Sequence, residues 1–588
     1  MQADKENLTT FIGSNQYYEI PFFQRSYVWD VEQWERIIDD AIYASETKKP
    51  LFLGAVIFKR RINSEGMHDG FTVIDGQQRL TTLFIFFKVL SLFSDQTAWF
   101  NGTFKKFNGS PVLKQSHSNL KDFENIIALT SPEDLLENAN SSQINKAYTY
   151  FRMRLRNIFI NKENKNSNGK RIIDYDIVFM LLNFVVIKLE ENDDEQQIFD
   201  TINSLGVKLT TGELLKNYLF SAGQLNDYNG IWKPIFEKDN ETMNFWNSQM
   251  ANGRNLKKTI DLFLFYFLQV KAQDPKLKID RKQARRMDNL FVNFKQIVEV
   301  NHLDKDLFAL EISQYAELFM KCFRRDEDGG DFDIPSSFGM ERISFIINNL
   351  DSNTMIPYVL YILNSVDSEE EQNKIFGFLE TYIVRRLIVD SNNNNYSDLF
   401  SENLIGQRIN SYEKLRDYIL SKEATASLAM PSDAAVRNGF HQTYFKSNNK
   451  RALCILYLLE SLLQTPNHST QLKTFGAYTL EHLMPKKWKK HWPCGDSTSE
   501  EERNLAILTF GNLAMITSGL NNTIRNYDWA TKLIGKNNKP GLRDFASGLA
   551  TIQPYLDLPS WNEETIYDRA EDLADKAIAK WKIAESVG

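Results

Sequence analysis

Cysteine is nearly absent from this sequence: Cys322, Cys454 and Cys494 lie far apart in 588 residues and show no metal-ligand spacing. That excludes a disulfide scaffold and a thiolate metal centre. An excess of basic charge is missing too. With 69 basic against 76 acidic residues the net charge is -7, so bulk attraction does not drive nucleic-acid binding and any such role needs local basic patches. Long apolar runs are also lacking. Stretches such as 178–189 and 260–267 contain polar breaks and fall short of the roughly 20 residues of a membrane span. No Gly-x-x-x-x-Gly-Lys-Ser/Thr segment occurs, which rules out a P-loop phosphate cradle. The first six residues, Met-Gln-Ala-Asp-Lys-Glu, carry no basic-then-apolar secretion pattern. Together these absences lead us to expect a cytoplasmic protein with no membrane partner.

What is present is the composition of a globular protein too long for one ordinary core, so two to four domains are expected. The chain is organised around residues 71–83, Phe-Thr-Val-Ile-Asp-Gly-Gln-Gln-Arg-Leu-Thr-Thr-Leu. Phe71 to Ile74 predict a buried strand, Gly76 permits a tight turn, and the largely apolar run 80–93 predicts a buried helix. The turn gathers Asp75, Gln77, Gln78 and Arg79 at a helix start, where free N–H groups attract anions. The competing interpretation is a plain turn, with Asp75 capping the helix and Arg79 in a surface ion pair.

Upstream, residues 20–30 read Ile-Pro-Phe-Phe-Gln-Arg-Ser-Tyr-Val-Trp-Asp. Pro21 favours extended backbone before it, and Asp30 can cap a helix whose Trp34, Ile37, Ile38 and Ala41 keep helical spacing. Gln24, Arg25 and Tyr27 are polar tips among aromatic bodies, which equally suits a packed core. Residues 51–58, interrupted by Gly54, predict a second strand. Residues 101–119 and 161–169 read as polar loops, 178–189 as a buried strand and 195–205 as a helix stopped by Gly206. Thr210 to Glu213 match a capping box that starts the helix 214–220. From 232 to 470 the pattern is helical, and its basic cluster 281–286 reads as a solvated face or a phosphate track.

Near the end, residues 478–485 (Tyr-Thr-Leu-Glu-His-Leu-Met-Pro) predict a short strand with Glu481 beside His482, followed by Lys486, Lys487, Lys489 and Lys490. Gly511-Asn512-Leu513 and Leu520-Asn521-Asn522 come next, then Lys532. A lone histidine beside a glutamate is more often structural than catalytic, but two spaced asparagines change the balance. Metal-dependent phosphodiester hydrolysis needs a neutral imidazole, oxygen ligands for a hard cation and a group that orients the histidine. Glu481, His482, Asn512 and Asn521 can supply these.

The N-terminal segments, namely 20–29, Phe52-Leu53-Gly54, 75–83, 197–209 and 214–219, resemble the GmrS-type domain of GmrSD-like modification-dependent (type IV) restriction enzymes. That domain is related in fold to the ParB/sulfiredoxin group. Lys216 stands where the family usually has Arg. Residues 481–485, 511–513 and 520–532 resemble the GmrD-type nuclease, a His-Me finger (HNH-like, ββα-metal) module, and Asn512 and Asn521 are nine positions apart as is familiar there. Ala514 and Asn522 replace the more usual Thr and Ser without removing a group assigned to catalysis.

The resemblance implies an α+β multidomain chain: residues 1–225 a GmrS-like nucleotide-binding and sensor domain, 226–435 a helical middle, 436–588 the nuclease within a helical domain. It implies binding and hydrolysis of a nucleoside triphosphate (GTP, UTP or ATP, not resolved) at Gln24, Arg25, Tyr27, Asp75, Gly76, Gln77, Gln78 and Arg79. Arg25 and Arg79 would contact phosphates and Asp75 a metal or water. In the nuclease, His482 would be general base, Asn512 its orienting group, Glu481 and Asn521 ligands of Mg2+ or Mn2+, and Lys532 a DNA phosphate contact. The partner would be double-stranded DNA, modified phage DNA above all, and one nuclease domain per chain favours a homodimer or sequential nicking. The alternatives are a nucleotide-gated sensor with an idle nuclease domain, an N-terminal domain that recognises DNA without hydrolysing nucleotide, and an inactive helical scaffold.

Overall fold

The computed structural model describes residues 2–583 except 13–15, 23, 63–67, 137–141, 162, 167–168, 190–209, 221–223, 253–254, 324–333, 351, 443–448, 465–471, 494–498, 537 and 547. The fold is α+β, and the chain clusters into two units, Met1–Lys233 and Pro234–Gly588.

The first unit holds a mixed sheet of six strands: β1 (Gln2–Asn7), β2 (Tyr18–Glu19), β3 (Leu51–Ile62), β4 (His68–Asp75), β5 (Leu113–Lys114) and β6 (Leu182–Leu189), in the order β1-β6-β3-β4-β2-β5. The β1/β6 and β3/β4 pairs are antiparallel, while β3/β6, β2/β4 and β2/β5 are parallel. Its helices include α1 (Val31–Thr47), α2 (Gln77–Phe93), α3 (Gln143–Arg156), α4 (Tyr175–Leu181) and α5 (Thr211–Leu219).

Strand alternation sorts the side chains between the two faces. Val56, Phe58, Phe71 and Val73 join the main core, whereas Ile57, Ile74 and Leu189 form a small cluster of their own. Helix α2 runs through the main core and is buried nearly throughout, with Leu80, Leu83, Phe84, Phe86, Phe87 and Leu90 at 1% exposure or less. Each such side chain contributes roughly 1.5–3 kcal/mol. The caps read from sequence are formed: Asp30 makes a capping box with Gln33 on α1, and Thr210 with Glu213 on α5.

Some expectations are corrected. Residues 178–189 are not one strand, because α4 continues to Leu181 before β6 begins. The stretch 101–119 is not all loop: Thr97–Phe104 is helical and β5 adds a short strand. The helix expected at 195–205, with Asn203, Gly206 and Lys208, lies outside the described residues.

Among the described residues the second unit is helical except for three short antiparallel strand pairs, beginning with β7 (Gln249–Asn252) paired to β8 (Asn255–Lys258), an exception to the all-helical pattern expected there. Its helices include α6 (Met340–Asn349), α7 (Glu369–Ile388) and α8 (Asn449–Leu463). They frame the elements of the C-terminal segment: β9 (Tyr478–His482), β10 (Leu513–Thr517), α9 (Ser518–Ile524), α10 (Trp529–Ile534), β11 (Gly535–Lys536), β12 (Lys539–Pro540) and α11 (Glu563–Lys580).

A buried polar network joins these helices. Arg342 on α6 donates from Nε and Nη2 to the Glu380 carboxylate of α7, both at 2.7 Å, and from Nη1 to Ser461 Oγ of α8 at 2.6 Å. Trp581 Nε1 completes the carboxylate at 2.9 Å. Glu460 accepts the backbone N–H groups of Ala550 and Thr551 at 2.7 and 2.9 Å. Removing one partner of a buried ion pair costs about 3–5 kcal/mol, so these contacts hold the C-terminal elements in a fixed frame. Arg285, in the basic cluster 281–286, pairs with Asp398 and Glu402. Among the described residues no helix is long and apolar enough to cross a membrane.

Candidate active site

Two polar clusters sit one in each unit. In the first, β4 ends at Asp75, opposite Ile57 of β3, and Gly76 turns the chain into α2 with φ 96°. A Cβ at Gly76 would lie 2.6 Å from Val56 Cγ1, so the turn closes against β3 only with glycine. Among the described residues no side chain caps the first turn of α2, so its N-terminal N–H groups suit an anion or water. Asp75 does not act as the cap.

Arg79 lies back over β3. Its Nη1 donates to Ala55 O at 2.6 Å, and a Cβ at Gly54 would sit 3.0 Å from its Cζ and Nη2. Gly54 itself has φ 108°. Burial pushes the Arg79 pKa down, the Asp75 charge opposes this, and Arg36 adds to it. A guanidinium stays charged under these conditions.

The remaining residues expected here divide into two groups. Gln24 donates to Val73 O and Ile74 O at 2.6 and 3.0 Å. Gln78 accepts from Val28 N at 2.8 Å and donates to Ser26 O at 3.1 Å. The Tyr27 hydroxyl accepts from Trp34 Nε1 at 2.8 Å and shares a 2.6 Å hydrogen bond with Thr82 Oγ1. Gln24, Tyr27 and Gln78 are buried and spend these polar atoms on the protein, so they shape the turn rather than line it. Arg25, Asp75, Gln77 and Arg79 are half-buried, and Gln77 Nε2 reaches Arg25 O at 3.2 Å.

The second cluster is built on β9 and β10, antiparallel strands that place Leu513 opposite His482 and Ala514 opposite Glu481. Thr479 and Glu481 share one face of β9 by strand alternation. Asn521, on α9, donates from Nδ2 to Thr479 Oγ1 at 3.2 Å, which orients its amide and leaves Oδ1 as the acceptor.

Burial pushes the His482 imidazole down to about 4, with the positive charges of Lys486 and Lys532 adding to the effect. It is therefore uncharged at neutral pH and able to accept a proton. Glu481 accepts from Lys532 Nζ at 2.5 Å, and the same ammonium donates to His482 O at 3.1 Å. Burial pushes the Glu481 carboxyl up and the Lys532 ammonium down, while their mutual attraction opposes both shifts.

Two assignments change on this geometry. Lys532 is fully buried at 0% exposure, so it fixes Glu481 and the β9 backbone and is not a surface phosphate contact. Asn512, also at 0%, does not meet the imidazole. Its Oδ1 accepts from Met484 N at 2.8 Å and Trp561 Nε1 at 3.1 Å, and its Nδ2 donates to Met484 O at 2.8 Å and Ile507 O at 3.0 Å. Leu483 N donates to Asn512 O at 2.9 Å. Asn512 thus holds the backbone that follows His482.

Sequence reasoning missed the supports of this turn. Trp561 stacks on Trp529, the first residue of α10, with ring centroids 4.9 Å apart. Arg569 on α11 is fully buried and donates from Nη1 to Gly511 O at 2.6 Å and Leu513 O at 2.9 Å. Gly511 lets α11 approach, since a Cβ there would fall 1.8 Å from Ile566 O. Thr479 was within reach of the period-two rule; Trp561 and Arg569 carry no local signal.

Among the described residues no three His, Cys, Asp or Glu side chains gather as a metal cluster. A cation here would rest on Glu481 and Asn521 oxygens with water, a donor set that suits a hard ion such as Mg2+.

Comparison with known proteins accords with both clusters. Residues 8–220 match the GmrSD restriction endonuclease N-terminal domain, and residues 430–576 match the GmrSD restriction endonuclease C-terminal domain. No curated protein matches the chain. The two matches bracket the turn at Asp75 and the cluster at His482 and between them span more than half of the sequence: the chain belongs to the GmrSD restriction-endonuclease family.

Proposed function

We propose that this chain is an antiphage defence enzyme, a nucleotide-regulated DNA endonuclease that cleaves or nicks DNA according to its modification. The observation that carries the nuclease reading is an uncharged His482 beside the Glu481 carboxylate, with the Asn521 amide tethered to the same strand. On this reading the C-terminal segment is a ββα-metal (His-Me finger) module and the N-terminal sheet a ParB/sulfiredoxin-like domain. The division at 225/226 and 435/436 is kept as its working frame, with one nuclease site per chain serving a homodimer or sequential nicks.

His482 accepts the proton of the attacking water at a ring nitrogen. Asn512 holds the backbone at Leu483 and Met484, which keeps the imidazole aimed without a direct bond. Lys532 keeps Glu481 in place. Glu481 and Asn521 would hold Mg2+ or Mn2+, which when bound stabilises charge on the leaving oxygen.

In the first unit, the uncapped start of α2 and the guanidinium of Arg79 suit the phosphates of GTP, UTP or ATP, with Arg25 and Gln77 nearby and Asp75 holding a metal or water. Asp75→Ala and Arg79→Ala are expected to lower triphosphate hydrolysis by roughly 10- to 100-fold, the loss of one charge-assisted contact. Gly54→Ala is expected to act like Arg79→Ala, because its Cβ would displace the guanidinium. Phosphate release from each triphosphate, measured for the four proteins, checks this. Equal release from all of them would remove the turn from nucleotide chemistry.

The second reading, a sensor with an idle nuclease, draws on one observation: the carboxylate suited to a cation is already paired with Lys532. Metal-dependent cleavage by the wild-type chain, absent in His482→Ala, excludes it.

A further inference from the structure

With Lys532 buried, the contact to the DNA backbone has to come from elsewhere on the second unit. Three exposed basic segments are drawn together beside the His482 cluster. The first follows β9 directly: Lys486, Lys487, Lys489 and Lys490 are all exposed, with no acidic residue between 485 and 493. Lys489 pairs with Glu500 at 2.6 Å, while Lys486 stands four residues after His482, just past the end of β9. The second is the hairpin β11/β12, which carries exposed Lys536 and Lys539 and packs against α9, the helix of Asn521. The third is Arg525, exposed at the C-terminal end of α9 with φ 37°.

Tyr527 is the joint between them. Trp492 Nε1 donates to Tyr527 O at 3.0 Å, the His491 ring lies 6.2 Å from the Tyr527 ring, and Lys536 Nζ sits 4.4 Å over that ring. The segment after β9 and the hairpin after α10 are therefore locked side by side. Asp528, a carboxylate in the joint, is spent on capping α10 through Thr531.

We propose that Lys486, Lys487, Lys490, Arg525, Lys536 and Lys539 form a DNA-backbone track that seats one strand's phosphates next to the His482 cluster. The inference rests on the nuclease reading for its choice of ligand. The charge is concentrated here although the chain as a whole is acidic, which is the pattern of a local electrostatic footprint. Lysine and arginine on a surface contact phosphate without reading bases, so the track confers position and affinity, and recognition of a modification lies elsewhere.

The test is the salt dependence of binding to a short, blunt, unmodified DNA duplex, with full-length protein and no divalent cation. Each phosphate contact contributes about 0.9 to the slope of log K against log salt. K487Q/K490Q/K536Q/K539Q is therefore expected to make the slope shallower by roughly 3–4 and to weaken binding at least about tenfold near physiological salt. A control with the same charge loss on the helical part of the unit, K276Q/K278Q/K374Q/K414Q, is expected to keep the wild-type slope. An unchanged slope in the first variant, or an equal change in both, would overturn the proposal. His482→Ala serves as the separating control: it is expected to bind with the wild-type slope whatever its cleavage, so failure of the catalytic assignment and failure of the track are read independently.

Discussion

His482→Ala is expected to lower DNA cleavage by about 10²–10⁴-fold, the range for loss of a general base. The side chain is half-buried, and no described residue hydrogen-bonds to its imidazole. Truncation therefore removes little that holds the fold, and stability is expected to stay within about 1 kcal/mol of wild type. Cleavage rates and thermal melting of the same preparations separate the two effects. Cleavage that persists in repurified protein would remove His482 from the chemistry, whatever its place at the end of β9.

Asn512→Ala is expected to fail differently. The amide satisfies Met484 N, Met484 O, Ile507 O and Trp561 Nε1, and alanine leaves all four buried groups unpaired. At about 1–3 kcal/mol for each unpaired group, with incomplete additivity, the loss is expected to reach at least about 4 kcal/mol. That is a large share of the roughly 5–15 kcal/mol of a typical fold. Asn512→Asp keeps the shape but points carboxylate oxygen at the carbonyls of Met484 and Ile507, so it is expected to destabilise by a similar amount. Chemical denaturation measures both. An Asn512→Ala protein that unfolds like wild type would contradict the account of how the turn is held.

The parts legible in the sequence were those written in local chemistry. A β-rich apolar run, a glycine and a long apolar helix announced β4, the turn and α2, while Asp30 and the Thr210/Glu213 pair announced two helix starts. The run 178–189 misled because a continuous apolar stretch suits helix and strand alike, and the chain uses both. Strand β1 escaped notice because Gln2–Asn7 is polar; it lies at the sheet edge against β6, where charged side chains are tolerated. At the sites the residue types were legible but their directions were not. Nothing local says that Gln78 turns back to the 26–28 backbone or that Lys532 points inward to Glu481. Burial made those choices, and around Lys532 it involves Trp561, which stacks on Trp529 of the same helix from far along the chain.

In the proposed function the His482 cluster cleaves DNA, and modification and nucleotide govern when it does so. The most direct measurement is cleavage of phage DNA beside the same DNA lacking its modification, with Mg2+ or Mn2+, each with and without triphosphate. Metal-dependent cuts or nicks are expected that differ between the two DNAs, change on adding triphosphate and vanish in His482→Ala. Cleavage that ignores the modification, ignores the triphosphate and survives in His482→Ala would contradict it.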